Sequence, residues 1–162
     1  WSLLVPGSGT PAGFEVLSRT GEASGALRSA LVEILGNGVD HLFCNEEEAL
    51  TWAGTDRIDM AVAELKDIGR NLNITLGAKG SLAVTPDGQW LVSGFPADAV
   101  DTTGCGDVFH GAYAACLAKG LSVDTAIEIA SATAAIKATQ PGGRRGIPNW
   151  PAVQYFLQTK IT

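Results

Sequence analysis

The run Gly104-Cys105-Gly106-Asp107 has the residue types of an anion site with a carboxylate beside it. Glycines let the backbone turn tightly and let its N–H groups approach a ligand closely. The small and apolar residues that follow predict a helix over about 107–119, and a helix start offers unpaired N–H donors at the positive end of its dipole. Asp107 could then accept the proton of a hydroxyl that attacks a phosphoryl group. The alternative is a simple turn followed by a favourable first-turn acid.

Two further motifs follow predicted strands. A buried strand over 39–44 ends at Asn45, and three glutamates, Glu46 to Glu48, begin the next helix. An N-cap with acids that complement the helix dipole explains this composition. A second strand, over 72–76, leads into Gly77-Ala78-Lys79-Gly80, whose glycines would allow close approach to a phosphate or a ribose. An exposed turn residue is the simpler interpretation of Lys79.

Strands that alternate with helices predict a largely parallel sheet covered on both faces. Because ligands bind beyond the carboxyl ends of the strands in such sheets, the three motifs are expected at one edge. An Asp-Gly turn predicts a hairpin over 81–93. Further helices are expected over 26–35, 46–53, 58–68 and 122–139, and from Pro151, which would take the first helical position.

The net charge of −6 gives no electrostatic footprint for nucleic acid or for an anionic membrane. No apolar run is long enough to span a bilayer, and no signal peptide is visible. The three cysteines have no metal-ligand spacing, and their odd number favours reduced thiols and a cytoplasmic location. Cys116 is expected in the core. Cys105 lies beside a predicted helix N-terminus, where the pKa of a thiol tends to fall, and is therefore a hypothetical reactive cysteine.

The segment Asp101-Thr102-Thr103-Gly104-Cys105-Gly106-Asp107 resembles the second signature of the PfkB, or ribokinase-like, family of sugar and nucleoside kinases, with Cys105 replacing the usual alanine. The resemblance continues through Asn45–Glu48, Thr75–Gly80 and Ile147-Pro148. It implies a ribokinase-like three-layer α/β/α fold with a mostly parallel sheet and an antiparallel edge hairpin. Since family members are much longer, residues 28–162 would be the C-terminal ATP-binding and catalytic part, with the N-terminal half and the lid missing. Residues 1–27 stay poorly assigned.

The same resemblance implies roles for individual residues. Asp107 would be the catalytic base, and the backbone N–H groups of Gly104, Cys105 and Gly106 would form an anion hole. Glu48 would help to hold Mg²⁺, in part through water. Serine is not the residue usually favoured at 131 and could simply pack the helix. The residues implied to contact ATP are Asn45, Thr75, Gly77, Gly80 and Ser131.

A site for K⁺ is also implied by the resemblance, but it is left open. Asp101 and Thr103 would contribute to it together with the loop over 140–149. Gly146, however, stands where the family often has serine or alanine before Ile-Pro. Arg144 and Arg145 in the same loop could meet phosphates or could be solvated.

Three functions remain open at this point. The leading interpretation is a carbohydrate kinase that transfers phosphate from MgATP to a hydroxyl of a small sugar. A nucleoside kinase of the same family, such as an adenosine kinase, would use the same motifs. The third is a nucleotide-binding fragment without activity. The expected partner is a sugar or nucleoside, with no nucleic acid and no membrane, and the resemblance leaves a homodimer open for the full-length protein.

Overall fold

The computed structural model of the protein describes residues 2–4, 33 and 39–160. The helix that we expect over 26–35 therefore lies outside the described residues, apart from Glu33, which is helical. Of the poorly assigned segment 1–27, the described part is the strand Ser2–Leu4. Within the described ranges, no helix is long and apolar enough to cross a bilayer.

Among the described residues, groups of strands are followed by groups of helices: two strands, two helices, three strands and three helices. The five described strands form one sheet in the order β1-β2-β3-β4-β5. A short 3-10 helix, Gly77–Lys79, lies between the third and fourth strands. The elements are β1 Ser2–Leu4, β2 Val39–Asn45, α1 Glu46–Ala53, α2 Ile58–Leu65, β3 Gly69–Thr75, β4 Gly80–Thr85, β5 Gly88–Ser93, α3 Cys105–Ala118, α4 Val123–Ala138 and α5 Trp150–Lys160.

The sheet is mixed. Strands β2 and β3 are parallel, with Leu42 beside Leu72 and Asn45 beside Thr75, whereas β1 runs antiparallel to β2. The neighbours β4 and β5 are joined only by Pro86 and Asp87, a connection that can link antiparallel strands alone. The predicted edge hairpin is therefore present, and the expectation of parallel strands is met among the described pairs by β2 and β3.

The chain divides into two compact units, and the first comprises Trp1–Leu76 with Leu82–Trp90. Its core lies between one face of β2 and β3 and the apolar sides of α1 and α2. The helix α1 ends as predicted at Gly54, whose φ of 62° is in the left-handed region. The buried side chains of this core belong to Val39, Leu42, Cys44, Ala49, Ala61, Val62, Leu65, Leu72 and Ile74.

The second unit comprises Gly77–Ser81 with Leu91–Thr162 and is built on α3 and α4. Both helices are rich in alanine, so their backbones can approach closely. Tyr113 and Cys116 of α3 are fully buried, which confirms Cys116 as a core residue. The helix α5 contacts α4, and its Phe156 meets Phe95 edge to face at 5.5 Å between ring centroids.

Several boundaries differ from the sequence-based predictions. The helix α2 ends at Leu65 rather than at 68, and β3 starts at Gly69 rather than at 72. Packing favours glycine at 69, because a Cβ there would lie 2.8 Å from the Leu42 Cβ. The helix α5 begins at Trp150, one residue before Pro151, with Asn149 Oδ1 accepting a bond from the Ala152 N–H. The helix α3 starts at Cys105, which makes Asp107 its third residue.

Candidate functional site

The carboxyl ends of β2 and β3 bring two predicted nucleotide-binding residues together in the first unit. Asn45 is the last residue of β2 and Thr75 the last of β3, and they are register partners in the parallel ladder. This placement follows from the sequence pattern, because parallel neighbours end at the same edge of a sheet. The predicted contacts of Asn45 and Thr75 with ATP themselves stay predictions.

Asn45 and Glu48 form a complete capping box at the start of α1. The Asn45 Oδ1 accepts a hydrogen bond from the Glu48 N–H at 2.8 Å, and Glu48 Oε2 accepts one from the Asn45 N–H at 2.9 Å. The first-turn glutamates also complement the helix dipole. The N-cap interpretation of Asn45 is therefore confirmed, and one oxygen of Glu48 is already committed within the chain.

The predicted role of Glu48 in holding Mg²⁺ depends on which other metal ligands lie near it. Among the residues that the structure describes, no three His, Cys, Asp or Glu side chains are grouped so that they could hold a metal ion. Mg²⁺ usually keeps several waters and is bound through one or two carboxylates and substrate phosphates. A single Glu48 acting through water fits that chemistry, whereas an all-protein cage does not.

The loop after β3 contains two glycines with different surroundings. Gly77 has a φ of 60°, and a Cβ placed on it would meet no atom within 4 Å. Gly80 has a φ of 109°, and its Cβ would lie 2.0 Å from the Val92 carbonyl oxygen. Gly94 is equally confined, since a Cβ there would lie 2.4 Å from the Ala78 oxygen. Gly80 and Gly94 are thus required by backbone packing, and sequence reasoning missed the second of them.

The residues of the predicted anion hole lie at the start of α3, in the second unit. Gly104 is the N-cap in the left-handed conformation, at φ 75° and ψ 8°, and no side chain caps the helix. The Cys105 N–H donates to the Thr102 carbonyl at 3.1 Å. The N–H of Gly106, which comes next, has no acceptor among the described residues. Of the predicted donors, Cys105 is therefore engaged inside the chain, whereas Gly106 is open.

Asp107 lies at the mouth of a cleft of about 680 Å³. Its carboxylate is exposed and forms no hydrogen bond or ion pair with any residue in the described part of the chain. Thr103 and Gly104 line the same cleft, whereas Ser131 does not. The other lining residues are Val108, Gly111, Ala112, Ala115, Ile129, Thr133, Gly143, Arg144, Ile147, Pro148, Trp150 and Val153.

Ser131 and Cys105 are both explained by packing. Ser131 is buried in α4, as the helix-packing interpretation expects, and its contact with adenine stays a prediction. The Cys105 Sγ donates to the Ala134 carbonyl at 3.7 Å. Burial raises the pKa of the Cys105 thiol above its ordinary value, and the opposing charge of Lys137 is a smaller effect. The expectation of a lowered pKa at Cys105 is therefore wrong, because desolvation by burial outweighs the charge of Lys137.

Asp101 connects two loops of the second unit. Its carboxylate accepts from the Thr103 N–H at 2.8 Å and from the Gly142 N–H at 2.7 Å. Hydrogen bonds from Thr103 and then from Gly142 lower the pKa of the Asp101 carboxyl to about 2, and the charge of Lys137 acts in the same direction. The Thr103 N–H thus binds the Asp101 carboxylate, and the role of Asp101 and Thr103 in a K⁺ site stays a prediction.

Lys137 was not singled out by the sequence, although it lies against this loop. Its side chain is fully buried, and its Nζ donates to the Asp101 carbonyl at 2.9 Å. The signal that could have revealed it is helical spacing, because Lys137 continues a buried stripe of α4. The preceding buried members of that stripe are Ala126, Ala130 and Thr133.

Comparison with known proteins identifies the family to which this chain belongs. The family model of the pfkB family carbohydrate kinases matches residues 14–150. A ribokinase of Haemophilus influenzae is 31% identical over 166 residues, which cover 96% of this chain and 54% of the relative.

Two solved structures have the same fold. A fructokinase of Vibrio cholerae, with fructose, ADP and a potassium ion bound, is 30% identical with a TM-score of 0.73 and covers 82% of this chain and 45% of that protein. A protein of Escherichia coli assigned as ribokinase II, with ATP and Mg²⁺ bound, is 27% identical with a TM-score of 0.74 and covers 83% and 44%. The chain spans about half the length of these proteins. It has the ribokinase-like α/β fold and belongs to the PfkB family of carbohydrate kinases.

Proposed function

We propose that the protein containing this chain phosphorylates a hydroxyl group of a small sugar with ATP, and that Asp107 is the base. The observation that carries the proposal is the open Asp107 carboxylate in the first turn of α3, beside the left-handed Gly104 and the cleft. The relatives support the substrate class, since they are ribokinases and fructokinases. The chain spans 54% of the Haemophilus relative. The proposed activity is therefore that of the whole enzyme.

In the proposed reaction, the Asp107 carboxylate accepts the proton of the sugar hydroxyl. The oxygen forms a bond to the γ-phosphorus, and the bond between that phosphorus and the β,γ-bridging oxygen breaks, so that ADP leaves. Negative charge on the phosphoryl oxygens would be stabilised by the N–H groups of Gly104 and Gly106. The Cys105 N–H could join them only by giving up the Thr102 carbonyl.

The nucleotide and its magnesium are proposed to contact residues of the three motifs. Bound Mg²⁺ would neutralise charge on the phosphates. Glu48 would hold it through water, next to Asn45. Thr75, Gly77, Gly80 and Ser131 are proposed to contact ATP, as the resemblance implies.

The test compares Asp107→Asn with wild type in ADP release, using MgATP and a panel that contains ribose and fructose. Loss of a general base typically costs about 10²–10⁴-fold in turnover, whereas affinity for MgATP should change little. Asp124→Asn is the matched control, because Asp124 is also an exposed acid in a first helical turn. Near-normal turnover of Asp107→Asn would refute the assignment.

The same assay separates the other two functions. Turnover with a nucleoside but not with the sugars would favour a nucleoside kinase. Because the chain spans about half of its relatives, it is tested beside the full-length protein that carries it. Binding of MgATP without turnover in both would favour the inactive nucleotide-binding protein.

A further inference from the structure

Lys137 is a fully buried lysine in the last turn of α4. Burying an ammonium group is costly unless it is paired or hydrogen-bonded. Here its Nζ donates to the Asp101 carbonyl oxygen at 2.9 Å, and no carboxylate oxygen lies within 4.0 Å of it among the described residues. The positive charge of Lys137 is therefore stabilised chiefly by the dipole of the Asp101 carbonyl group. Carbonyl groups stabilise a small bound cation in the same way.

The loop around Asp101 is organised like a cation site. The carboxylate of Asp101 binds the backbone N–H groups of Thr103 and Gly142, which draws the segments around 101 and 142 together. The Ala138 carbonyl accepts from the N–H groups of Val100 and Asp101 at 2.7 and 3.0 Å. Asp101 carries both a negative carboxylate and an inward-facing carbonyl oxygen, which together stabilise a positive group beside them. In the structure that group is the Lys137 ammonium.

Gly146 provides no side chain that could act as a cation ligand in this loop. A Cβ on Gly146 would lie 2.7 Å from the Lys137 carbonyl oxygen and 2.8 Å from the Gln140 Cβ. The serine often found at this position in the family therefore does not fit in this conformation. Lys137 and Gly146 are adjacent in space, since the backbone of Lys137 occupies the volume that a side chain at 146 would need. The residues present thus do not fit the K⁺ site implied by the resemblance.

We propose that the Lys137 ammonium replaces a bound monovalent cation at the Asp101–Thr103 loop, so that this protein needs no K⁺ to order the loop. Lys137 is then a positioning residue. It acts through the Asp101 carbonyl on the segment that leads into Gly104 and Asp107. The proposal concerns the order of the loop and does not depend on the transferred group or on the substrate.

The first test measures the thermal unfolding of the wild-type protein in KCl, LiCl and tetramethylammonium chloride at equal ionic strength. We expect the same Tm in all three salts, because the charge is built in. A rise in Tm specific to KCl would overturn the proposal, since it would show that a K⁺ site persists beside Lys137. This outcome is independent of kinase activity.

The second test uses Lys137→Ala, with Lys66→Ala as the control because Lys66 is exposed in the first unit. Lys137→Ala should lower the Tm and create a response to K⁺. At a K⁺ concentration about ten times the Kd, linkage predicts a rise of about 3–6 °C over LiCl. Lys66→Ala should show no such response.

A Lys137→Ala protein with an unchanged Tm, or with a lowered Tm that K⁺ does not raise, would refute the replacement of a cation. If Lys137→Ala gives no cooperative melt in LiCl but melts cooperatively in KCl, the proposal is supported. If it melts cooperatively in neither salt, Lys137→Leu takes its place, because the shorter side chain keeps the inner packing but leaves the position of the ammonium group empty. Lys137→Leu should have a lowered Tm that K⁺ raises, and a Tm that K⁺ does not raise would refute the proposal.

Discussion

Gly80 offers a sharp test of why this loop contains glycine. Its φ of 109° is rarely adopted by residues with a side chain, and a Cβ would lie 2.0 Å from the Val92 oxygen and 2.5 Å from the Gly94 nitrogen. Both neighbours are backbone atoms, which cannot move aside as a flexible side chain could. Gly77 is the matched control, because its φ is also positive, at 60°, but its Cβ would meet nothing within 4 Å.

The expected magnitudes follow from these two environments. A side chain in the left-handed region costs about 1–2 kcal/mol, and this term applies to Gly77→Ala and Gly80→Ala alike. Overpacking adds about 1–3 kcal/mol, and this term applies to Gly80→Ala alone. Gly80→Ala should therefore lower the free energy of unfolding by about 2–5 kcal/mol. That is a large share of the roughly 5–15 kcal/mol that holds a typical protein folded.

The assay is urea denaturation of wild type and both variants, followed by far-UV circular dichroism and tryptophan fluorescence to check that the transitions coincide. Thermal melts should agree, at about 2–4 °C of Tm for each kcal/mol. The reasoning fails if Gly77→Ala and Gly80→Ala lose equal stability, because the contact with Val92 would then contribute nothing. It also fails if Gly80→Ala is as stable as wild type.

Two further predictions concern the second unit. The pKa of Asp101 is lowered from 3.8 to about 2, so its contribution to stability is present above pH 4 and is lost as the pH falls toward 2. The difference in urea midpoint between wild type and Asp101→Asn should therefore shrink over that range, and a constant difference would contradict it. Gly106→Ala should raise the stability by about 0.4–1 kcal/mol while lowering kcat for phosphoryl transfer, and unchanged kcat would remove Gly106 from the site.

The sequence predicted the elements that rest on local patterns. Several local features appear near their expected positions. They are the β2 strand, the caps at Asn45, Gly54 and Ser122, and the hairpin turn at Asp87. Each depends on neighbouring residues, through hydrophobic alternation or the bonds of one helical turn. The predicted helix after Gly104 is also present, although α3 begins at Cys105, earlier than the apolar pattern suggested.

The features that the sequence could not supply depend on contacts between distant segments. The Cys105 Sγ and the Ala134 carbonyl are brought together only by the packing of α3 on α4, and burial raises the pKa of the Cys105 thiol. Lys137 reaches Asp101 across 36 positions of sequence. The helical spacing of Lys137 from Ala126, Ala130 and Thr133 was an available signal, but a lysine in an alanine-rich helix would ordinarily be placed on the solvent side.

Residues whose identity is not explained by folding are the ones that indicate function. Asn45 and Glu48 are explained by capping, Gly77 and Gly104 by positive φ, and Gly80 by its contact with Val92. Gly106 differs from these, because its φ is not positive and a Cβ there would meet nothing within 4 Å. A glycine inside a helix costs about 0.5–1 kcal/mol relative to alanine, a cost without a structural return here. We expect the benefit to come from a group outside the described chain that approaches the Gly106 backbone, as a phosphoryl group beside Asp107 would in the proposed reaction.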